Sequence, residues 1–441
     1  MDINPFVMIF YILLGICAAS IISLIPALHI YNVLGFLIIA IMAFGHFIPQ
    51  EVLPYVFMSM VVTFTILNTL TAVFLQAPDE TMIFIVMPGQ KALMLGRGYE
   101  IAMTIGFGSL LGVALMALMT PLTFTVLPVV KKVLTPHMHW LIGLMCVYML
   151  MAEWPKAIER KPPGWSRFFE SWRSLSFGIL TFVLAGFLGM VVMSKNILPL
   201  QSSFQGLMPV FVGLFAIPSV LLNVISKTQI PKQRIAKSMD ITPGVALRST
   251  IAGGLGGLIA ALFPILTGGM GGLIAGQATA QRDERIFTMS QGVSKVVYYV
   301  GAFLFFFVPQ GRMGKGGLVA MTSSLFSVRT FQEYWLAIAT MLFSAGIAFV
   351  LLHFFAKWIA TVIHKLNYRL ISIIVLCVLV AMVFSLTSWI GLLVAAVSTA
   401  IGLIPVIFGS RRLNLLAVLL VPIGLNMGGI GPQFANWLGI I

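Results

Sequence analysis

Apolar runs long enough to cross a bilayer follow one another along this chain, and the charged residues fall almost entirely in the gaps between them. That arrangement excludes most folds at once. Crossing the hydrocarbon core takes about 20 apolar residues. Inside it every backbone N–H and C=O must be paired, which only a helix or a closed barrel achieves. The runs are continuously apolar and lack the two-residue alternation of a barrel strand, so they read as helices. Of the 441 residues, 60% are hydrophobic and 9% charged, against about 25% charged in a soluble domain. Folded in water, such a chain would expose large apolar patches. The chain reads as an all-α polytopic membrane protein with about 10–14 membrane segments.

Spans or broken segments are expected near 6–26, 30–49, 53–76, 98–130, 138–152, 175–194 and 204–225, then near 246–264, 270–281, 287–308, 331–364, 369–387, 389–408 and 413–428. Lys and Arg number 26 against 12 Asp and Glu, a net charge of +14. In a soluble protein that excess would suggest nucleic acid. Here the bases lie between spans, where they fix orientation, and no nucleic-acid partner is expected. Cys17, Cys146 and Cys377 lie inside apolar runs and form neither a disulfide framework nor a metal site. Met1–Pro5 carries no basic n-region, and the apolar stretch after it outruns a signal peptide, so it reads as the first span.

Small residues at Gly15, Ala19 and Ser23 are followed by Pro26, and those at Gly253, Gly257 and Ala261 by Pro264. Both runs read small-x3-small-x3-small-x2-Pro. The four-residue step puts the small side chains on one helix face, where another backbone can approach. Proline then breaks the helix. Two copies with the same proline offset mark an internal repeat. Pro78 and Pro309 each end an apolar run, Tyr99-Glu100 and Glu333-Tyr334 each precede a small-residue stretch, and Pro218 and Pro422 come late in each half. The division is a first repeat at 1–225, a basic linker at 226–243 and a second repeat at 244–441.

Charge placement suggests that the repeats have inverted topology. The loop Glu153–Arg173 carries Lys156, Arg160, Lys161, Arg167 and Arg173, while its counterpart near Leu386–Ser388 carries no charge. With that loop and the linker cytoplasmic, the charge-rich member of most pairs falls inside and both termini face out. The aromatic residues Trp154, Trp165, Phe168, Phe169 and Trp172 suggest that 153–173 lies flat on the inner surface.

These residues resemble the large membrane subunit of tripartite tricarboxylate transporters, the TctA family, in a divergent stand-alone archaeal and bacterial branch. The family's Gly-x3-Gly-x3-Gly-x2-Pro-Gly pattern is similar to Gly15–Pro26 and Gly253–Pro264, although Ala27 and Ile265 follow the prolines here. The stretch from Pro78 to Gly98 looks like the family's proline loop, with Pro88-Gly89 at the turn and Gly96-Arg97-Gly98 at the helix start. The resemblance implies a multi-pass protein of a prokaryotic plasma membrane. It also implies a small four-span subunit and an extracytoplasmic binding protein as partners.

The candidate binding residues cluster at the breaks. Helices broken near the midplane present N–H groups and positive dipole ends to an anion, and freed carbonyls to a cation. On that ground Pro26, His29 and Asn32, and Pro264, Thr267, Gly268 and Gly269, are substrate-binding candidates. The ordinary alternative is a kinked packing helix, with His29 satisfied by a neighbour. Asp79, Glu80 and Thr81 follow Pro78 and are candidates for a coupling ion, Na+ or H+; the alternative is a solvated loop. Arg312 suits a carboxylate or phosphate, whose oxygens its guanidinium matches, or is an orientation charge. Ser323 and Ser324 can hydrogen-bond a ligand or a neighbouring helix.

No HExxH, GxSxG or phosphate-binding loop occurs, so no enzyme is expected and transport must run on a gradient. No cofactor is expected beyond the coupling ion. The reading is a secondary transporter of a carboxylate-type organic anion, bound between paired Pro/Gly-broken re-entrant hairpins and exchanged by alternating access. The alternative is a translocase for a polyprenyl phosphate, a lipid phosphate that would suit Arg312 and a glycine nest. Membrane lipids surround either, and a homodimer is left open.

Overall fold

The computed structural model describes residues 4–44, 48–79, 81–154, 164–195, 197, 206–226, 229–262, 268–278, 283–308, 319, 322–323, 325–328 and 330–440. Among these there are helices and connecting turns and no strand. Among the described residues nine helices are long and apolar enough to cross a membrane, which makes this an all-helical polytopic membrane protein. In the first half the helices are α1 (Pro5–Ile22), α2 (Ile30–Phe44), α3 (Leu53–Leu67), α4 (Val86–Met94), α5 (Gly98–Leu118), α6 (Thr120–Leu134), α7 (Met138–Met151), α8 (Trp165–Ser194), α9 (Met208–Phe211) and α10 (Ile217–Ile225). The second half has α11 (Pro243–Leu262), α12 (Gly268–Ala278), α13 (Glu284–Leu304), α14 (Phe331–Val362), α15 (Tyr368–Phe408), α16 (Ala417–Met427) and α17 (Gly431–Trp437).

Contacts divide the chain into two compact units. One comprises Met1–Val129 and Leu222–Val375, the other Val130–Leu221 and Leu376–Ile441. Each unit takes a stretch from each half of the sequence, and residues 226–243 lie within the first unit.

In the first unit α3 is wholly buried, and the second half places α13 in a similarly buried position. The small-residue faces explain how neighbours reach them. A Cβ on Gly15 of α1 would lie 2.5 Å from Ser59 Oγ of α3. A Cβ on Gly257 of α11 would lie 2.7 Å from the Ser294 carbonyl of α13. The two copies of the motif thus press their helices onto α3 and α13 respectively. Glycine also opens the approach of α5, whose Gly112 would put a Cβ 3.0 Å from the Val293 carbonyl.

Helix α1 stops at Ile22, and the chain turns through Pro26 to Ala27, which adopts φ +53. In the second half α11 stops at Leu262 and α12 starts at Gly268; Pro264 and Thr267 lie outside the described residues. The expected gap between spans at 387 and 389 is real: Ser388, with φ 60 and ψ −164, interrupts α15.

Two expectations fail. Pro88-Gly89 is not a turn but part of the first turn of α4, where proline has no intrahelical N–H bond to lose. The turn is at Gly96, φ +75, and Gly98 does open α5. Nor does Trp165–Arg173 form a separate surface helix. It is the beginning of α8, which continues unbroken to Ser194. The linker, for its part, is strapped down. Gln233 Nε2 donates to the Leu93 carbonyl at 3.0 Å, its Oε1 accepts from Gly98 N at 2.8 Å, and Arg234 N donates to the Gly96 carbonyl at 2.7 Å.

In the second unit α16 packs on α8, with Gly186 lying against Val421. Buried Glu153, at the end of α7, accepts from Ser174 Oγ at 2.6 Å, from Asn414 Nδ2 at 3.0 Å and from Arg411 N. That satisfies a carboxylate that would otherwise be costly to bury.

The packing predicts a sharp contrast between glycines. Gly257→Val should cost about 1–3 kcal/mol, the range for overpacking a close contact. Gly143→Ala, where an added Cβ meets nothing within 4 Å, should leave stability unchanged or raise it slightly, since alanine is the better helix former inside α7. Thermal denaturation of the detergent-purified protein checks both, and equal melting temperatures for the two variants would refute the α11–α13 contact.

Candidate functional site

The regular ladder of α3 ends at Leu67, and Asn68 caps it. Thr71–Leu75 then widens into a π turn, and Gln76 adopts a left-handed φ of +55. Such turns recur at functional sites, and a left-handed non-glycine residue costs roughly 1–2 kcal/mol. The chain runs without helix from Gln76 to Asp79, then re-enters a short 3-10 turn at Ile83–Ile85 and α4. The break at Pro26 is tied to this stretch, because Ala27 N donates to the Ala77 carbonyl at 3.3 Å.

Asp79 sits in the gap, only 8% exposed. Its Oδ1 accepts from Thr81 N at 3.0 Å and Thr81 Oγ1 at 2.7 Å. Its Oδ2 accepts from Asn68 Nδ2 at 3.0 Å and from the Tyr299 hydroxyl at 2.8 Å. Asn68 passes the contact on: its Oδ1 accepts from Lys295 Nζ at 2.9 Å. Lys295, 0% exposed, donates also to Thr69 Oγ1 at 2.8 Å. One buried network therefore joins a carboxylate of the first half to an ammonium of the second through a single amide.

Aromatic rings close one side. Tyr31 donates its hydroxyl to the Tyr299 carbonyl at 3.0 Å, and its ring meets that of Tyr299 edge-on, 5.5 Å between centroids. The His29 ring lies 5.2 Å from that of Tyr299, and its Nδ1 accepts from Tyr31 N at 3.1 Å. On the other side α12 begins hard against the site. A Cβ on Gly268 would lie 2.7 Å from Thr81 Cγ2 and 2.8 Å from Tyr298 Cδ1.

Of the residues singled out in the sequence, His29, Asp79, Thr81 and Gly268 come together here, and Pro26 lies beside them. Gly269 is buried in the first turn of α12. Asn32 is half-buried on α2, and Ser323 is exposed. Glu80, Pro264, Thr267, Arg312 and Ser324 lie outside the described residues. Sequence reasoning misses Lys295, Asn68 and Tyr299. One signal for Lys295 was available, since it is the lone charge between Arg285 and Arg312. An ionisable residue inside a span marks function by default. Among the described residues, no group of three His, Cys, Asp or Glu side chains could hold a metal ion.

A charged rim lies at the start of α13 and α5. Asp283 caps α13, and the Arg285 guanidinium holds its carboxyl below the usual range. Arg285 also meets Asp240 of the linker. Arg97 pairs with Glu100 at 2.7 Å, which raises its pKa further.

Comparison with known proteins agrees with this architecture. A family model described as the tripartite tricarboxylate transporter TctA family matches residues 9–417. An uncharacterized protein of Methanocaldococcus jannaschii is 25% identical over 421 residues, covering 93% of this chain and 97% of that one. No solved structure matches the chain.

Breaking a buried charge network from one side strands the other side, at about 3–5 kcal/mol. Asp79→Ala and Lys295→Met should each lower the melting temperature of the purified protein. The double variant should regain much of the loss, since neither charge then remains. A thermal-denaturation double-mutant cycle measures this, and strictly additive losses would show that the two groups are energetically independent.

Proposed function

This chain belongs to the tripartite tricarboxylate transporter TctA family, and on that footing we propose that it is a secondary transporter of a carboxylate-type organic anion, coupled to a cation. The family is one of transporters, so the chain is a transport protein of a multi-pass membrane type. Beyond that, the reading is carried by one observation: Asp79 and Lys295 are buried together at an interrupted helix. A charged residue at the centre of a membrane helix costs about 2.5–3.5 kcal/mol on insertion scales, and such residues mark ion and substrate pathways.

The roles follow from the chemistry of the groups. The Lys295 ammonium has three N–H donors and can give charge-assisted bonds to a carboxylate. Asp79 carries the balancing charge, and the coupling cation acts through it. Thr81 and the start of α12 at Gly268 form the opposite wall, packed closely against each other. His29, Tyr31 and Tyr299 give the facing wall a polar, aromatic lining.

The break at Gln76–Asp79 is where the helix can bend without losing a full ladder of bonds. Movement of one helical bundle against the other about such breaks would expose the site to each side in turn. The duplicated small-residue and proline motif of the sequence supports two repeats, and the placement of loop charges supports their inverted topology, with the linker at 226–243 cytoplasmic and both termini outside. As in tripartite systems, a small membrane subunit and an extracytoplasmic binding protein would deliver the anion.

Reconstitution into proteoliposomes tests the reading, with labelled citrate and succinate as probes under imposed ion gradients. Gradient-driven uptake is expected from the wild type. Asp79→Asn and Lys295→Gln should lower the initial rate by about 100-fold, if each loses an interaction worth roughly 3 kcal/mol. Wild-type flux in both variants would remove the network from the transport pathway. Movement of a labelled polyprenyl phosphate without any anion uptake would replace the anion reading with the lipid one.

A further inference from the structure

We infer that the Lys295 ammonium is a tethered substitute for a coupling metal ion, so that the site takes no Na+, its movable charge is a proton, and Lys295 anchors the carboxylate of the transported anion. This rests on the transport reading above and names, within it, the coupling ion and the anion anchor.

The partners of Lys295 come first. Its Nζ lies 2.9 Å from Asn68 Oδ1 and 2.8 Å from Thr69 Oγ1, two neutral side-chain oxygens where α3 passes into the π turn. Neutral oxygens of this kind are ligands for a hard metal cation. Here those oxygens already face a cation that cannot leave.

The state of Asp79 is the second argument. A carboxylate offers about four lone-pair sites. Thr81 N and Thr81 Oγ1 take up Oδ1, while Asn68 Nδ2 and the Tyr299 hydroxyl take up Oδ2. A metal ion would have to strip donors from that carboxylate, one of them a main-chain N–H. Asn68 cannot simply turn to help. Lys295 only donates and ionised Asp79 only accepts, so the amide must point its oxygen to one and its nitrogen to the other.

Charge balance then dictates coupling. With Asp79 ionised and Lys295 charged, the empty network is neutral and holds no surplus attraction for an anion. A proton on Asp79 turns one accepted bond into a donated one, as the Tyr299 or Thr81 hydroxyl rotates. Lys295 is then left as a single positive charge, which an arriving carboxylate neutralises. Proton or anion alone would leave an unbalanced charge in a low-dielectric interior, which is costly. Among the described residues, the titratable groups around Asp79 include Lys295, Tyr298 and Tyr299 from α13, and His29 and Tyr31 from the start of α2. The α12 wall contributes Gly268, and the end of α3 contributes Asn68 and Thr69, none of which titrates.

Two measurements decide the matter. In the first, binding of radiolabelled Na+ to the detergent-purified full chain is measured by scintillation proximity. The wild type should retain no more Na+ than Asp79→Asn. Lys295→Ala, which vacates the place and leaves Asp79 unbalanced, should retain severalfold more. Na+ binding by the wild type that Asp79→Asn abolishes would overturn the inference, whether or not Lys295→Ala folds. In the second, proteoliposomes in choline buffer should take up labelled succinate or citrate on an inward proton gradient alone. Adding a Na+ gradient should change the initial rate less than twofold. Uptake that requires Na+ overturns the inference and leaves the transport reading intact. Absence of uptake under every gradient counts against the transport reading, and the Na+-binding comparison still decides what occupies the site.

Discussion

A charge buried among apolar helices must be neutralised by groups that are themselves held in place, and most of the first unit is arranged around that requirement. Lys295 and Asp79 are bridged by one amide. Asn68 stands between them, its two ends fixed by what each neighbour can accept or give. Asn68 holds that position as the cap of α3, just before the π turn. For Asp79 to accept a main-chain N–H the segment after Gln76 must leave the helix. The interruption is thus what satisfies the carboxylate, and the strain of a left-handed Gln76 is offset by four donated bonds.

Close packing supplies the rest. Lys295 and Tyr299 reach the break only because α13 runs deep in the unit, and it can do so because its neighbours carry glycine where they cross it. In lipid there is no apolar driving force to bring helices together, so backbone approach at small residues carries much of the association. Gly112 of α5 and Gly257 of α11 bring their backbones against the Val293 and Ser294 carbonyls, immediately before Lys295 in the sequence. The packing motif and the charged site are consequently one construction. A bulkier residue at either glycine would shift α13 and with it the ammonium.

Much of the helical layout is legible from the residues, because a long apolar run has few other solutions. The breaks after Ile22 and at Ser388 fall where proline or a lapse in the apolar pattern places them. Helix α4 is not legible in that way, since Pro88-Gly89 reads as a turn until its position in the first helical turn is known. The aromatic, basic stretch before Ser174 reads as a surface helix because its composition fits one, while its continuity with α8 is a matter of packing. The site is legible only on one side. Asp79 stands out because acidic residues are scarce. Lys295 is lost among bases read as orientation charges, and its link to Asn68 spans 227 positions of sequence. Contacts at that separation leave no local pattern to read.

The two charges of the network lie in different halves of the sequence. Counting back from Pro78 as far as Lys295 lies before Pro309 lands on Phe64, which is buried and uncharged. The residue after Pro309, where Asp79 follows Pro78, is Gln310. At these positions each half therefore carries one sign of charge and lacks the other. Like charges at close range in a low-dielectric interior repel strongly, and splitting the two signs between the halves makes the pair complementary. It also makes each half dependent on the other, because neither Asp79 nor Lys295 keeps its buried counter-charge if the halves are parted.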